Sequence, residues 1–432
     1  MKESIKKRIE AVRRGEVPEG YVSKNHQLRP ADWKYEKIGK YLVPYDEFSN
    51  DTEAYPLATS SRQGLMLQSE YYSDQRYEET TGGFHVVPVG YVTYRHMSDD
   101  DIFRFNVNKM GQPVLVSPEY PVFTTTGELD QELLVAYLNG MKEFQAFCSA
   151  QKKGSTRTRM YFHRLGEFTI PIPSITEQQK IAEILKACDR MIELKQRKID
   201  ELNKLKQVCL LEMFPQKGQT IPQRRFPGFS APWEQRKLSS LCEKFTDGDW
   251  IESEDQSDSG VRLIQTGNVG VTEYLDKPNN KKWISDETFD RLHCEEVLPG
   301  DILISRLPEP AGRSCIIPFL GTKMITAVDC TIVRTLPGVS NKFLVQYLSS
   351  QPYFNEVNTC LAGGTRQRIS RSNLSNFMVP IPSDKDEQDA IGSVFESIDH
   401  LITLHQCELA EVEKYKKALM QLLLTGLVRV NA

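Results

Sequence analysis

The chain has no CxxC pair, no HExxH and no histidine set at ligand spacing with cysteine, although its 432 residues include nine cysteines and seven histidines. No metal site is expected from such a pattern. The scattered cysteines read as reduced thiols acting as small hydrophobes, and Cys188 and Cys209 fall on an apolar helical stripe. There is no GxxxxGK[ST], which excludes a P-loop ATPase. No glycine-rich nucleotide fingerprint follows a strand, and no Asn-Pro-Pro-Tyr-type tetrapeptide of an amino-methyltransferase occurs. Asp189 with Glu193-Leu194-Lys195 has the outline of a nuclease set. It lies inside a helical stretch, where such side chains are solvated i,i+4 partners. No Ser/His/Asp constellation can be placed, so no catalysis and no cofactor are expected in this chain.

No apolar run reaches the ~18 residues of a membrane helix. The segment Met1 to Arg8 is charged, with no apolar core behind it. A cytoplasmic protein without a membrane partner is expected. The net charge of −4 argues against a surface coated in basic charge. Local phosphate-binding patches remain compatible with it.

What is present is a repeat. Gly154-Ser155-Thr156-Arg157-Thr158-Arg159, then Leu165, Phe168 and Ile170-Pro171-Ile172-Pro173-Ser174, precede a long helical pattern. Gly363-Gly364-Thr365-Arg366-Gln367-Arg368, then Leu374, Phe377 and Val379-Pro380-Ile381-Pro382-Ser383, precede another, at an offset of 209 residues before the helix and 210 within it. Trp33 and Trp233 open the two units, 200 residues apart. Their matched places favour core anchors over base-stacking rings.

Each unit mixes strands with short helices, an α+β pattern. Val86–Tyr94 and Pro113–Ser117 read as strands of the first unit, and Gln131–Phe147 as a helix. Val261–Gln265, Asp301–Ser305 and Cys330–Arg334 read as strands of the second, with a helix over Asn341–Ser349. The boundaries are 1–30 for an N-terminal helix and linker, 31–174 for the first globular domain and 175–217 for a central spacer helix. A linker follows over 218–232, then the second domain over 233–383 and a C-terminal spacer helix over 384–432.

The long helices are expected over Thr176–Phe214 and Asp386–Leu424. Leu185, Ile192, Ile199 and Leu202 recur at steps of 3 and 4 on the first, and Phe395, Ile402, Leu409 and Val412 on the second. Such spacing signals a coiled coil. Both stripes are interrupted at matching places, by Lys195 and His405 and then by Lys206 and Lys416. The match favours one helix lying on the other over two helices packing separately on their own domains. Thirty-nine residues of helix span about 58 Å.

The repeated loop, the Pro-x-Pro exits, the helices beginning with Glu-Gln and ending in Lys414-Tyr415-Lys416-Lys417-Ala418-Leu419-Met420, and the Arg225-Phe226-Pro227-Gly228-Phe229…Trp233-Glu234 approach to the second half together resemble one family. It is the specificity (S) subunit of Type I restriction–modification enzymes, and the resemblance spans essentially the whole chain. It implies two target recognition domains, each reading half of a bipartite asymmetric double-stranded DNA sequence. An antiparallel pair of long helices would set the gap between the halves, giving a pseudo-two-fold internal repeat. Two modification (methyltransferase) subunits would dock on the helices, and restriction/translocase subunits would join the assembly. S-adenosylmethionine, ATP and magnesium would belong to those partners.

Arg157, Arg159, Arg366 and Arg368 occur in both units, so they cannot carry a difference in sequence reading. Phosphate contact and anchoring of the loop remain as their two readings. Arg371 has no basic counterpart, since Phe162 aligns with it. Base readers are sought where the units differ. In the first these are Arg62, Gln63, Tyr72, Gln75, Arg76 and Arg95; in the second, Gln265, Asn268, Lys281, Lys282, Arg306 and Arg313. Arginine, glutamine and asparagine suit guanine and adenine edges. An alternative from another class is a coiled-coil protein-interaction scaffold that reads no DNA sequence. A self-contained DNA-cutting enzyme would need a carboxylate cluster that the pattern lacks.

Overall fold

The computed structural model describes residues 3–24, 27–71, 83–152, 157–216, 218–363 and 367–430. The chain divides into two compact units, Met1–Lys195 with Glu408–Ala432, and Gln196–Cys407. The long helices Ile175–Met213 and Lys385–Leu424 each contribute to both units.

In the first unit the strand Lys34–Lys37 pairs antiparallel with the strand Thr169–Ile172 that leads into the first long helix. A four-stranded antiparallel sheet follows, in the order Phe105–Val107, Val92–Tyr94, Val122–Thr125, Leu42–Pro44. A second sheet has the order Val114–Val116, Phe84–Val87, Phe48–Ser49. The second unit repeats this frame. Glu234–Lys237 pairs with Met378–Ile381. Its four-stranded antiparallel sheet runs Ser314–Ile316, Ile302–Ser305, Cys330–Thr335, Cys242–Asp247. Its other sheet runs Gln256–Ser257, Lys282–Ile284, Val261–Ile264, Met324–Thr326, the last pair parallel. Strands such as Val114–Val116 and Ile302–Ser305 are buried on both faces. That is why they read as unbroken apolar runs without alternation.

Two expected elements are each divided. Val86–Tyr94 is two strands, because Tyr91 N donates to Pro88 O in a turn whose Gly90 has φ +86°. Gln131–Phe147 is the helices Gln131–Gly140 and Lys142–Ser149, separated by Met141 in an extended conformation. A Cβ on Gly140 would lie 1.9 Å from Met420 Cε, so the helix end passes close to the second long helix.

The aromatic cores form around the repeated tryptophans. Trp33 belongs to one core cluster with Tyr94, Phe105, Phe144 and Phe168, and Trp233 to the other with Phe343, Tyr353, Phe377 and Phe395. Leu185 and Phe395 were expected in the helix pair, but each is buried in its own domain's core. They sit in the first turns of helix after the Pro-x-Pro exit, where the stripe still faces the sheet it has just left. The far helix ends do the converse. Leu419, Met420, Leu423 and Leu424 close the first core, and Leu210, Met213 and Phe214 close the second.

Between those ends the helices lie on each other. In the first unit Lys195 meets Glu408 at 2.6 Å while Lys416 donates to Asp189, an antiparallel register. In the second, Lys206 Nζ donates to Asp399 Oδ1 at 2.5 Å, and Leu202 packs with Ile398 and Ile402. Ile199 is buried, and Ile192, Leu409 and Val412 are half-buried. Lys206 and Lys416, which interrupt the two stripes at matching places, thus find aspartates at equivalent repeat positions, Asp399 and Asp189. Charged pairs at stripe positions fix register at a cost in stability.

The Glu-Gln pair that opens each long helix ties it to its domain. Gln178 Oε1 accepts from Asp130 N at 2.7 Å, and its amide donates to Glu128 O and Pro173 O. Gln388 Oε1 accepts from Ser340 N at 2.8 Å, and its amide donates to Gly338 O and Pro382 O. Glu177 and Glu387 accept from the indoles of Trp33 and Trp233 at 3.2 and 3.3 Å. An arginine completes each group. Arg429 donates to both oxygens of Glu177 and both of Asp32, and Arg225 to both oxygens of Glu387. Bidentate geometry of this kind satisfies a buried carboxylate.

Candidate nucleic-acid interface

In the first unit a cleft of about 520 Å³ opens beside the sheets. Its lining brings together Arg62, Gln63 and Arg95 with Ser98, Asp99 and Glu119. Arg62 donates to Asp100 Oδ1 at 2.5 Å, and Asp100 also accepts from Ser98 Oγ at 2.8 Å. The Arg62 guanidinium holds the Asp100 carboxyl down at about 2. Arg157 Nε donates to Asp99 at 2.6 Å. Asp101 accepts from Thr158 Oγ1 and lies 3.5 Å from Lys152 Nζ. Three consecutive carboxylates therefore hold the Arg62 segment on one side and Lys152, Arg157 and Thr158 on the other. Arg159 reaches the Tyr161 hydroxyl at 3.4 Å, and the exposed Tyr161 ring stacks on His96 and His163. Tyr72, Gln75 and Arg76 lie outside the described residues.

The second unit places its candidates differently. Asn268 is 3 % exposed and braces its loop, accepting from Gln265 N and donating to Leu275 O. Arg313 is 9 % exposed and donates to the main-chain oxygens of Thr266, Val269, Leu307 and Pro310. Four of its five N–H groups are consumed in tying two loops together. Both were expected to read bases, and both instead hold the loops that surround them. Arg306, 7 % exposed, is also internal; it donates to Val328 O and faces Asp247 and Asp329. A polar residue between apolar runs looks the same in sequence whether it faces water or a carbonyl, so the internal setting of these three was not visible there. Gln265 and Lys282 are half-buried, and the exposed Lys281 lies 3.5 Å from Asp276. Arg368 donates to Asp329 at 2.5 Å, and Arg371 lies 3.8 Å from Asp247. Arg366 lies outside the described residues.

The repeat also relates residues that sequence reasoning passed over. Met160 N donates to His96 O, as Ile369 N donates to Arg306 O. His96 and Glu119 face each other at 3.9 Å, the distance between Arg306 and Asp329. An offset of 210 carries His96 onto Arg306 and Glu119 onto Asp329, one residue more than the 209 that relates Met160 to Ile369. Burial holds the His96 imidazole below its ordinary value despite Glu119, and Arg159 and Arg95 act in the same sense as burial.

No group of three or more metal-ligating side chains is found among the described residues. Burial pushes the thiols of Cys148, Cys242 and Cys315 up to about 12, which leaves them unreactive. No helix among the described residues is long and apolar enough to cross a membrane.

The chain is 24 % identical over 442 residues to the Type I restriction enzyme MjaVIII specificity subunit of Methanocaldococcus jannaschii, covering 94 % of this chain and 95 % of that one. It is 27 % identical over 324 residues to the putative type I restriction enzyme MjaX specificity subunit of the same organism, covering 70 % and 69 %. Its fold is similar to the Type-I restriction-modification system S subunit from M. genitalium, with a TM-score of 0.55, 14 % identity and 95 % and 98 % of the two chains covered. It is also similar to a chain solved in a study of complex assembly and conformational transition of the type I R-M system, with a TM-score of 0.51, 16 % identity and 93 % and 99 % covered. The model of the Type I restriction modification DNA specificity domain matches residues 105–204 and 231–414, more than half of the chain. The chain thus belongs to the family of type I restriction–modification specificity subunits.

Proposed function

We propose that each unit reads one half of a bipartite, asymmetric double-stranded DNA target, and that the paired helices set the unread gap between the halves. One observation carries this reading. The same frame of sheets, Pro-x-Pro exit and Glu-Gln clamp occurs twice, while the side chains presented around it differ. A common scaffold with different surfaces suits two different short sequences. In the first unit the reading falls on the cleft with Arg62, Gln63 and Arg95; in the second it falls on the exposed Lys281 and Arg371.

The chain acts without catalysis in this reading. Two methyltransferase subunits dock on the helix pair and supply S-adenosylmethionine-dependent adenine methylation. Restriction/translocase subunits bring ATP- and magnesium-dependent chemistry, and the assembly works in the cytoplasm. Exposed apolar side chains support the docking role, Met191 and Leu194 in the first unit and Leu205, Val208 and Leu404 in the second.

The test is genome-wide adenine-methylation mapping in a host without methylation systems, comparing the methyltransferase subunit alone with the subunit plus this chain. A split motif with a fixed gap, seen only with this chain, is the expected result. Replacing residues 233–382 with those of another specificity subunit then changes one half of that motif. An assembled complex that methylates no defined motif overturns the reading.

A further inference from the structure

Three of the arginines that face outward, two in the first unit and one in the second, are paired with aspartates. Arg62 is paired with Asp100, Arg157 with Asp99 and Arg368 with Asp329, at 2.5 to 2.6 Å. All three arginines are about half exposed or more. Asp99 and Asp100 are not there to neutralise a buried charge, since Arg157 and Arg62 already have water; Asp329 in addition lies 3.9 Å from the buried Arg306. Asp99 is itself 69 % exposed and Asp100 44 %. Exposed pairs of this kind add little to stability. A fold selected only for DNA affinity would leave such arginines unpaired, because every phosphate neutralised releases counterions.

We propose that Asp99, Asp100 and Asp329 are specificity-determining residues that guard the DNA-facing arginines. The inference rests on the DNA-reading function given above. On random DNA a guarded arginine approaches a phosphate with a carboxylate beside it, and the carboxylate repels that phosphate. On the target Arg62 is drawn to guanine O6 and N7 and Asp100 meets an amino group such as cytosine N4–H₂ or adenine N6–H₂, while Arg157 and Arg368 contact phosphate. The pair is then matched on both sides. Discrimination arises because wrong contacts are weakened more than right ones. The overall charge of −4 follows the same logic on the scale of the chain. Asp100 is suited to the task, since Ser98 Oγ and the Ile102 amide hold it in place and Arg62 keeps it ionised.

The experiment uses the full chain assembled with its methyltransferase subunits. Binding is measured by fluorescence anisotropy at several salt concentrations. One duplex carries the motif found by methylation mapping, and the other is the same duplex scrambled. The variants are Asp99→Asn, Asp100→Asn and Asp329→Asn. Asparagine keeps the shape and removes the charge, and among the described residues the Asp99 carboxylate pairs with Arg157. Each variant is expected to bind the scrambled duplex about threefold more tightly or better. Its slope of log affinity against log salt steepens by up to about one, and its ratio of target to scrambled binding falls. If the parent prefers the target and the variants bind the scrambled duplex no better, the guarding role is overturned while DNA reading stands. If the parent shows no preference, both are overturned.

Discussion

Trp33 and Glu177 stand 144 residues apart in the chain and share one hydrogen bond, indole Nε1 donating to carboxylate at 3.2 Å. Trp233 and Glu387 repeat it at 3.3 Å. In both, the bond joins the first strand of a domain to the first turn of the helix that leaves it. An arginine from beyond the end of the other long helix neutralises the carboxylate.

Removing that arginine strands a buried charge. Glu387 is 1 % exposed at its side chain and Arg225 12 %. Arg225→Ala is expected to destabilise the second unit by roughly 3 kcal/mol, read from chemical denaturation. Arg429→Ala should cost the first unit less, roughly 2 kcal/mol, because Arg429 is 31 % exposed. Adding Glu387→Gln to Arg225→Ala should recover part of the loss, since a neutral amide is cheaper to bury. No recovery would mean that the arginine acts through packing, not charge.

Two glycines at helix contacts should respond in opposite ways. A Cβ on Gly392 would lie 2.6 Å from Lys342 Cβ and 2.8 Å from both Lys342 C and Phe343 N, atoms of a neighbouring helix that cannot step aside. In an exposed helix interior alanine is favoured over glycine by about 1 kcal/mol. Gly392→Ala should nonetheless destabilise by roughly 1 to 3 kcal/mol. Gly140→Ala meets only the terminal methyl of Met420 within 3 Å, which can rotate away. Its effect should stay within about 1 kcal/mol. Equal denaturation midpoints for the two variants would contradict this account of the contacts.

His96 makes the first unit sensitive to acid. Its folded-state value lies below the ordinary one, chiefly through burial. The unfolded chain therefore binds the proton more readily. The stability contribution is present in full above the ordinary value of about 6.5 and is lost as pH falls below it, through the depressed folded value. The thermal midpoint of the parent should fall more steeply between about pH 7 and pH 5 than that of His96→Gln. Parallel curves would remove His96 as the titrating group. The second unit has Arg306 in this place, and arginine does not titrate in that window.

Much of the scaffold was legible because periodicity and repetition are local signals. The long helices begin and end within one residue of the expected bounds, and the strands Ile302–Ser305 and Cys330–Thr335 fall where apolar runs placed them. The repeated Glu-Gln was visible as a pattern, but its purpose was not. Gln178 braces Asp130 and Gln388 braces Ser340, each 48 residues away, a distance at which sequence gives no pairing signal. The candidate site was less legible. Arg313 and Arg371 are the same letter in the chain. Only the carbonyls converging on one and the half-exposed setting of the other separate a loop brace from a surface charge.

The clamp on Glu177 also sets an order of events. Residues 196–407 make up the second unit alone, so it can close before the segment beyond Cys407 is in place. The first unit cannot, because Leu423, Leu424 and Arg429 complete its core and its carboxylate group. Domains made on a ribosome usually finish in the order in which they emerge. Here the domain synthesised first is the one finished last, and until then Trp33 and Glu177 wait with an unneutralised charge between them.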